Sequence, residues 1–208
     1  MHTNPAFRQE PLDRNLSLAH ARSFGILSVN GPDGPLMAHV PFLLAEDGSL
    51  AELHLARSNP IARAGLPAPA VLAVSGPDAY VSPDWYGPHE QVPDQVPTWN
   101  YVAVHLRGML EPLPDDALRP QADGLSAMHE GRIAGKRPWT STKMTADAME
   151  RRMRMILPFR LRILDVQGTW KLNQNKTPEI RARAAAALAQ GDAGAQAIAA
   201  LMRALPEG

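Results

Sequence analysis

Val96-Pro97-Thr98-Trp99-Asn100-Tyr101-Val102-Ala103-Val104-His105 is the stretch on which the fold turns. Tryptophan is scarce, with 4 in the chain, and here one stands beside an amide and a tyrosine. The run leads into alternating apolar residues, so it predicts a β-strand over residues 98–113. Alternation puts Trp99, Tyr101, Ala103 and His105 on one face and Asn100, Val102, Val104 and Leu106 on the other. A strand with aromatics and amides at its mouth could hold a flat ligand. It could equally be part of a well-packed hairpin.

Outward from this strand the same periodicity recurs. Residues 25–29, 36–44 and 50–56 read as strands, separated by Asn30-Gly31-Pro32-Asp33-Gly34-Pro35 and by Asp47-Gly48. Such turn chemistry makes a meander and favours antiparallel pairing. Residues 71–74 and 79–82 read as two strands across a Gly76-Pro77-Asp78 turn, and residues 159–172 as the last long strand, interrupted at Gly168. Helices are predicted from an Asp13 cap to about Ser23, over 61–65, from Asp115 or Asp116 to Glu130, over 147–155, and over 178–205 with breaks at Gly191 and Gly194. The polar, Pro-rich stretch 85–95 is a loop. The expected class is mainly β with peripheral helices, a small antiparallel barrel. The expected organisation is a barrel domain over 1–175 with inserted helices and a helical extension over 176–208.

Composition sets bounds. At 208 residues and 45% hydrophobic, the chain has material for a substantial core. No 18-residue apolar run is present, so no membrane span is expected, and residues 1–14 lack a secretory layout. Cysteine is absent, which excludes disulfides and thiolate chemistry and fits a cytoplasmic location. The zero net charge hides an asymmetry: residues 1–131 carry 7 Lys/Arg against 15 Asp/Glu, and residues 132–183 carry 13 against 4. That pattern allows an anion-binding face, DNA contact or self-association, and solvated helix faces would also produce much of it.

Three groups could carry chemistry. In His54-Leu55-Ala56-Arg57-Ser58-Asn59-Pro60 the chain passes from strand to helix, where unpaired N–H groups and the side chains of Arg57, Ser58 and Asn59 suit a phosphate. The residues alone favour the plainer alternative, capping by Ser58 or Asn59 with Arg57 in solvent. Lys171-Leu172-Asn173-Gln174-Asn175-Lys176 gathers cations and amides that could read a heterocycle's edge, or simply end a strand. His39, His54 and His105 lie on separate strands, but no carboxylate partners accompany them and no metal is expected. Gly-rich phosphate loops and the nucleophile-elbow and zinc-protease motifs are missing, as is a helix-turn-helix pattern.

Taken in order, His39-Val40-Pro41, HLARSNP from His54, Gly76-Pro77 with Ala79-Tyr80-Val81-Ser82-Pro83, Trp85-Tyr86, PTWNY with Val104-His105, Trp139, and Lys171-Leu172 with Gln174-Asn175 resemble the PaiB family of FMN-binding negative transcriptional regulators. The likeness runs from about residue 5 to about residue 190. It implies an FMN-binding split β-barrel and a homodimer with flavin near the subunit interface. It places the His39 strand beside the isoalloxazine and Arg57, Ser58 and Asn59 on the phosphate. It brings Trp99, Asn100, Lys171 and Gln174 from other parts of the cleft. Departures from the family are Asn173 for Ser, Leu53 for Gly, Pro158 for Gly, and no Lys near His89; they bear on flavin affinity rather than on fold.

The resemblance implies a flavin-based regulator or sensor. A flavin-dependent oxidoreductase is the alternative, because a flavin brings its own redox chemistry and needs few protein groups. Direct DNA binding by residues 132–183 is a third reading, without a recognisable reading module.

Overall fold

The computed structural model describes residues 1–206. Its strands are β1 (Phe24–Gly31), β2 (Gly34–Pro41), β3 (Leu43–Leu44), β4 (Leu50–Ala56), β5 (Ala68–Val81), β6 (Thr98–Pro112) and β7 (Ile156–Lys171). The helices are α1 (Leu12–Arg22), α2 (Leu118–Glu130), α3 (Ala146–Met153), α4 (Pro178–Leu188) and α5 (Ala193–Arg203). The strands form one sheet in the order β2-β1-β5-β6-β7-β4-β3. β1 pairs antiparallel with β2 and β5, and β4 with β3 and β7. The expected mainly antiparallel β fold with peripheral helices is what forms.

Two compact units share the chain. The first comprises Met1–Asn15, Ser75–Val104 and Gln167–Gly208; the second comprises Leu16–Val74 and His105–Val166. The terminal helices α4 and α5 belong to the first unit, together with the N-terminal residues. Alternation along β6 is as expected: Asn100, Val102, Val104 and Leu106 are buried, and Trp99 is half exposed. In the second unit Leu27, Leu53, Leu72, Leu106, Leu110, Phe159 and Leu161 are fully buried or nearly so; in the first, Val81, Tyr86, Leu172, Leu188 and Ile198 are. Each such side chain contributes roughly 1.5–3 kcal/mol of transfer free energy.

Two expected interruptions are not breaks. Residues 68–81 form one strand, with no turn at Gly76-Pro77-Asp78. Gly76 is small because a Cβ there would lie 2.9 Å from Val102 Cβ, so it serves close packing instead of a turn. Pro77 falls past residues 70–73, the part of β5 that pairs with β1, so its missing N–H costs no bond in that ladder. β7 likewise runs through Gly168. A Cβ at 168 would collide with Asn15 Oδ1 at 2.0 Å, and that same oxygen accepts a hydrogen bond from Trp170 Nε1 at 2.8 Å. Smaller differences are local. Asp13 lies in the first turn of α1 instead of before it, and residues 60–63 are a short 3₁₀ turn. Gly194 is inside α5, where a Cβ would sit 2.8 Å from Asp78 O; the break before α5 falls around Gly191.

Asn15 and Trp170 are both buried, and the Arg14 guanidinium lies 4.3 Å over the indole. Asn15→Ala leaves the indole N–H without its acceptor, and Gly168→Ala forces the Asn15 amide aside. Each should lower stability by about 1–3 kcal/mol in urea unfolding. An unchanged midpoint for both would show that the clasp carries no weight.

Candidate functional site

In the first unit the end of β7 is folded back on itself. Gln174 accepts from the Leu172 N–H at 2.8 Å and donates through Nε2 to the Trp170 carbonyl, so its side chain shapes the strand end. Asn173 then takes a left-handed backbone, φ 60°, which asparagine tolerates better than most residues. Its carbonyl accepts from the Lys176 N–H at 3.0 Å and closes the turn.

This turn and the start of β6 border a pocket of about 400 Å³, lined among others by His2, Tyr86, Thr98, Lys171, Asn173 and Lys176. Lys171 Nζ donates to Thr98 Oγ1, and burial lowers its pKa from the ordinary lysine value. Lys176 Nζ donates to Gln95 Oε1 at 2.5 Å and stands 5.2 Å over the Tyr86 ring. Burial pushes the Tyr86 hydroxyl up, and Asn173 pulls it partly back. Asn173 Nδ2 is buried and, apart from this contact with the Tyr86 hydroxyl, has no hydrogen-bond partner. Two ammonium groups and a buried amide donor make a surface for acceptor oxygens, whether phosphate, carboxylate or a heterocycle's carbonyl. That donor set fits FMN, whose phosphate and ring carbonyls are acceptors.

Trp99 and Asn100 point elsewhere in this unit. Trp99 lines a second pocket of about 480 Å³ with Tyr80 and Trp85, while Asn100 is fully buried with Nδ2 3.5 Å from Met202 Sδ and no partner for Oδ1. The first unit thus brings Lys171 and the Asn173 turn together and sets Trp99 and Asn100 apart from them. Thr98, Tyr86 and Lys176 stand in the sequence only inside larger motifs, PTWNY, Trp85-Tyr86 and KLNQNK, and none carries a site role of its own there. Only Lys176, at the end of KLNQNK, offered a signal, because the other two meet the motif through folding alone.

In the second unit β4 runs out at Ala56 into Arg57. The Arg57 N–H donates to Met155 O at 2.8 Å and its Nε to Arg154 O at 3.1 Å, which fixes an exposed guanidinium at its root. Ser58 is exposed. Asn59 caps the four-residue 3₁₀ turn, accepting from the Ile61 N–H at 2.9 Å, and Pro60 brings no N–H to its start. His39 is exposed on β2, at the sheet's edge, and stacks on Phe24 with centroids 6.3 Å apart. Burial lowers the pKa of His54, with Gln121 partly opposing, and burial is also the largest cause lowering that of His105. Among the described residues no three His, Cys, Asp or Glu side chains are grouped to hold a metal.

Comparison with known proteins gives consistent results. A family model described as "Putative FMN-binding domain" matches residues 1–165. The "Protease synthase and sporulation protein PAI 2" of Bacillus subtilis (strain 168) is 30% identical over 157 residues, covering 74% of this chain and 72% of the relative. Among solved structures, the FAD and heme binding protein from Mycobacterium smegmatis superposes with TM-score 0.56 at 20% identity, covering 79% of this chain and 73% of that one. The flavocytochrome Anf3 from Azotobacter vinelandii superposes with TM-score 0.57 at 12% identity, covering 82% and 72%. At these identities the structures speak to fold, and the fold is the split-barrel class.

The left-handed turn at 173 predicts a specific pair of results. Asn173→Ala and Asn173→Gly both delete the side-chain amide, so their difference isolates the backbone. The glycine variant should be the more stable by about 1 kcal/mol in urea titration, and equal stability would show that the turn is not strained.

Proposed function

This chain belongs to that FMN-binding family, and we propose that it holds FMN and acts as a PaiB-like negative transcriptional regulator or flavin-based sensor. The observation that carries this reading of the cofactor site is the pocket where Lys171, Lys176 and the buried Asn173 amide converge. There Lys171 and Lys176 supply positive charge to an anionic group. Asn173 Nδ2 supplies a donor, and Thr98 fixes the Lys171 head through their hydrogen bond. Gln174 acts indirectly, by holding the strand end in the shape that presents Asn173. A second set, Arg57 and Ser58 with Asn59 and His39, enters the proposal on its own unit. Arg57 keeps donors available beyond the one bound to Arg154 O and would grip a phosphate, and Asn59 holds the turn behind it.

When bound, FMN would supply electron transfer that no side chain here provides. The side chains' work is to bind, orient and neutralise. A homodimer is part of the proposal. Its support is the exposed Phe24 and Met37 beside His39, at the edge of the sheet, where a second copy would cover apolar surface. A cytoplasmic location accords with the lack of cysteine, and among the described residues no helix is long and apolar enough to cross a membrane. A flavin-dependent oxidoreductase is the second reading. What favours it is that a flavin carries its own redox chemistry, so the few polar groups gathered at Lys171 are enough to hold it. Direct DNA binding draws less support, because Arg132, Arg160, Arg162 and Arg183 in the basic segment are engaged by carbonyls or carboxylates of the protein itself.

The purified protein should be yellow, take up added FMN and release a molecule of FMN's mass; a colourless protein that binds none would remove the cofactor from the proposal. Lys171→Met and Arg57→Ala, tested singly by calorimetry, should each weaken FMN by about 1.5–3 kcal/mol, the range for hydrogen bonds to a charged group. Unchanged affinity removes that residue from the site. Specific, salt-sensitive retention of a promoter fragment supports the regulator, whereas NADPH-driven turnover of an acceptor without DNA binding supports the oxidoreductase.

A further inference from the structure

The pocket that contains Trp99 has a chemistry of its own. It measures about 480 Å³, and the residues that line it include Tyr80, Trp85 and Trp99 together with Asp78 and Asp192. The Tyr80 and Trp99 rings stand nearly perpendicular, 75° between planes and 6.3 Å between centroids, so they meet as two walls of a corner. Both are about half exposed, with Tyr80 at 46% and Trp99 at 53%, far more than large apolar side chains in a packed core.

Electrostatics favour one sign of ligand. No Lys, Arg or His is among the lining residues. The nearby cations of this unit are turned to backbone carbonyls, Arg183 to Tyr86 O at 2.6 Å and Arg203 to Ala185 O at 3.4 Å. The last turn of α4 contributes Ala187 and Leu188 to the wall, and a helix C-terminus carries partial negative charge. The start of α5 also borders the pocket and would favour the opposite sign. There, however, Asp192 Oδ1 already accepts from the Ala195 N–H at 2.9 Å and offsets that end with a full negative charge. Asp78 is exposed and unneutralised by any lining cation.

We propose that this corner of Tyr80, Trp85 and Trp99, closed by Asp78 and Asp192, is a binding site for an organic cation, a quaternary or tertiary ammonium compound of small size. Aromatic faces attract a cation through their quadrupole, and a poorly hydrated alkylammonium gives up little on leaving water. The carboxylates add long-range attraction and exclude anions, flavin phosphate included. The site is independent of the FMN proposal: its residues are not those around Lys171, and it can fail while flavin binding stands.

The test is titration of the protein as purified with choline, by calorimetry and by the shifts of its indole N–H resonances. Choline should bind saturably and move the Trp99 and Trp85 resonances, and affinity should fall with added salt. The carbon isostere of choline, with a quaternary carbon in place of the ammonium, should bind at least roughly fivefold more weakly. Trp99→Ala and Asp78→Asn should each weaken choline by roughly three- to tenfold, and Trp99→Phe should restore much of the loss. Asp78 is exposed, so Asp78→Asn should keep the wild-type unfolding midpoint, and Trp99→Phe, which keeps a ring against Tyr80, separates lost binding from lost packing. Equal binding of the neutral isostere, affinity indifferent to both substitutions, or no saturable binding would each overturn the assignment.

Discussion

The first unit hangs on a contact that allows no side chain at one position. Where β7 passes α1, the backbone at Gly168 lies against the Asn15 amide, and this closeness lets Asn15 accept the Trp170 indole N–H. Trp170 is thereby fixed, and its carbonyl in turn receives the Gln174 amide. Gln174 draws the chain into the turn that places Asn173 in the left-handed region. Lys171 and Lys176 emerge on either side of this turn into one pocket. A sequence of neutral hydrogen bonds, each modest by itself, determines where two cations and one buried amide end up.

The second unit is organised by charge at its surface as well as by its apolar core. Glu111 on β6 receives Arg162 at 3.1 Å and Arg160 at 3.3 Å from β7, and these bonds, Arg162 first, hold its carboxyl below the usual range. Arg132 reaches the carbonyls of His20 and Ala21 at the end of α1, where helix polarity favours a cation. Part of the basic segment is thus met by sequence-distant partners, Glu111 for Arg160 and Arg162 and the end of α1 for Arg132. Exposed pairs of this kind contribute little to stability. Their effect is on which strand ends and helix ends lie together.

The sequence made the strands visible because burial on one face leaves a two-residue period, and β6 shows that period almost without fault. It misled at glycine. Gly76 and Gly168 look like punctuation in one dimension, whereas in the folded chain each makes room for a neighbour, Val102 and Asn15, far away in sequence. The site motifs were legible as groups but not in their parts. Lys171 does line a pocket, yet Gln174 turns to its own backbone, and Trp99 looks away from the face that holds Thr98, as strand alternation requires. Thr98, Tyr86 and Lys176 could be assigned only once the folding of separate segments had brought them to Lys171.

The first unit is stitched from three stretches of chain, and the family match ends at residue 165, just before the last of these begins at Gln167. The Lys171 turn and the α4–α5 wall of the aromatic corner are both carried by that last stretch. A lineage could therefore recast what the aromatic corner recognises by rewriting α4 and α5, while the Lys171 turn, whose Lys171-Leu172 and Gln174-Asn175 pattern is part of the family resemblance, stays intact. Kinship within such a group would be a better guide to architecture than to ligand preference.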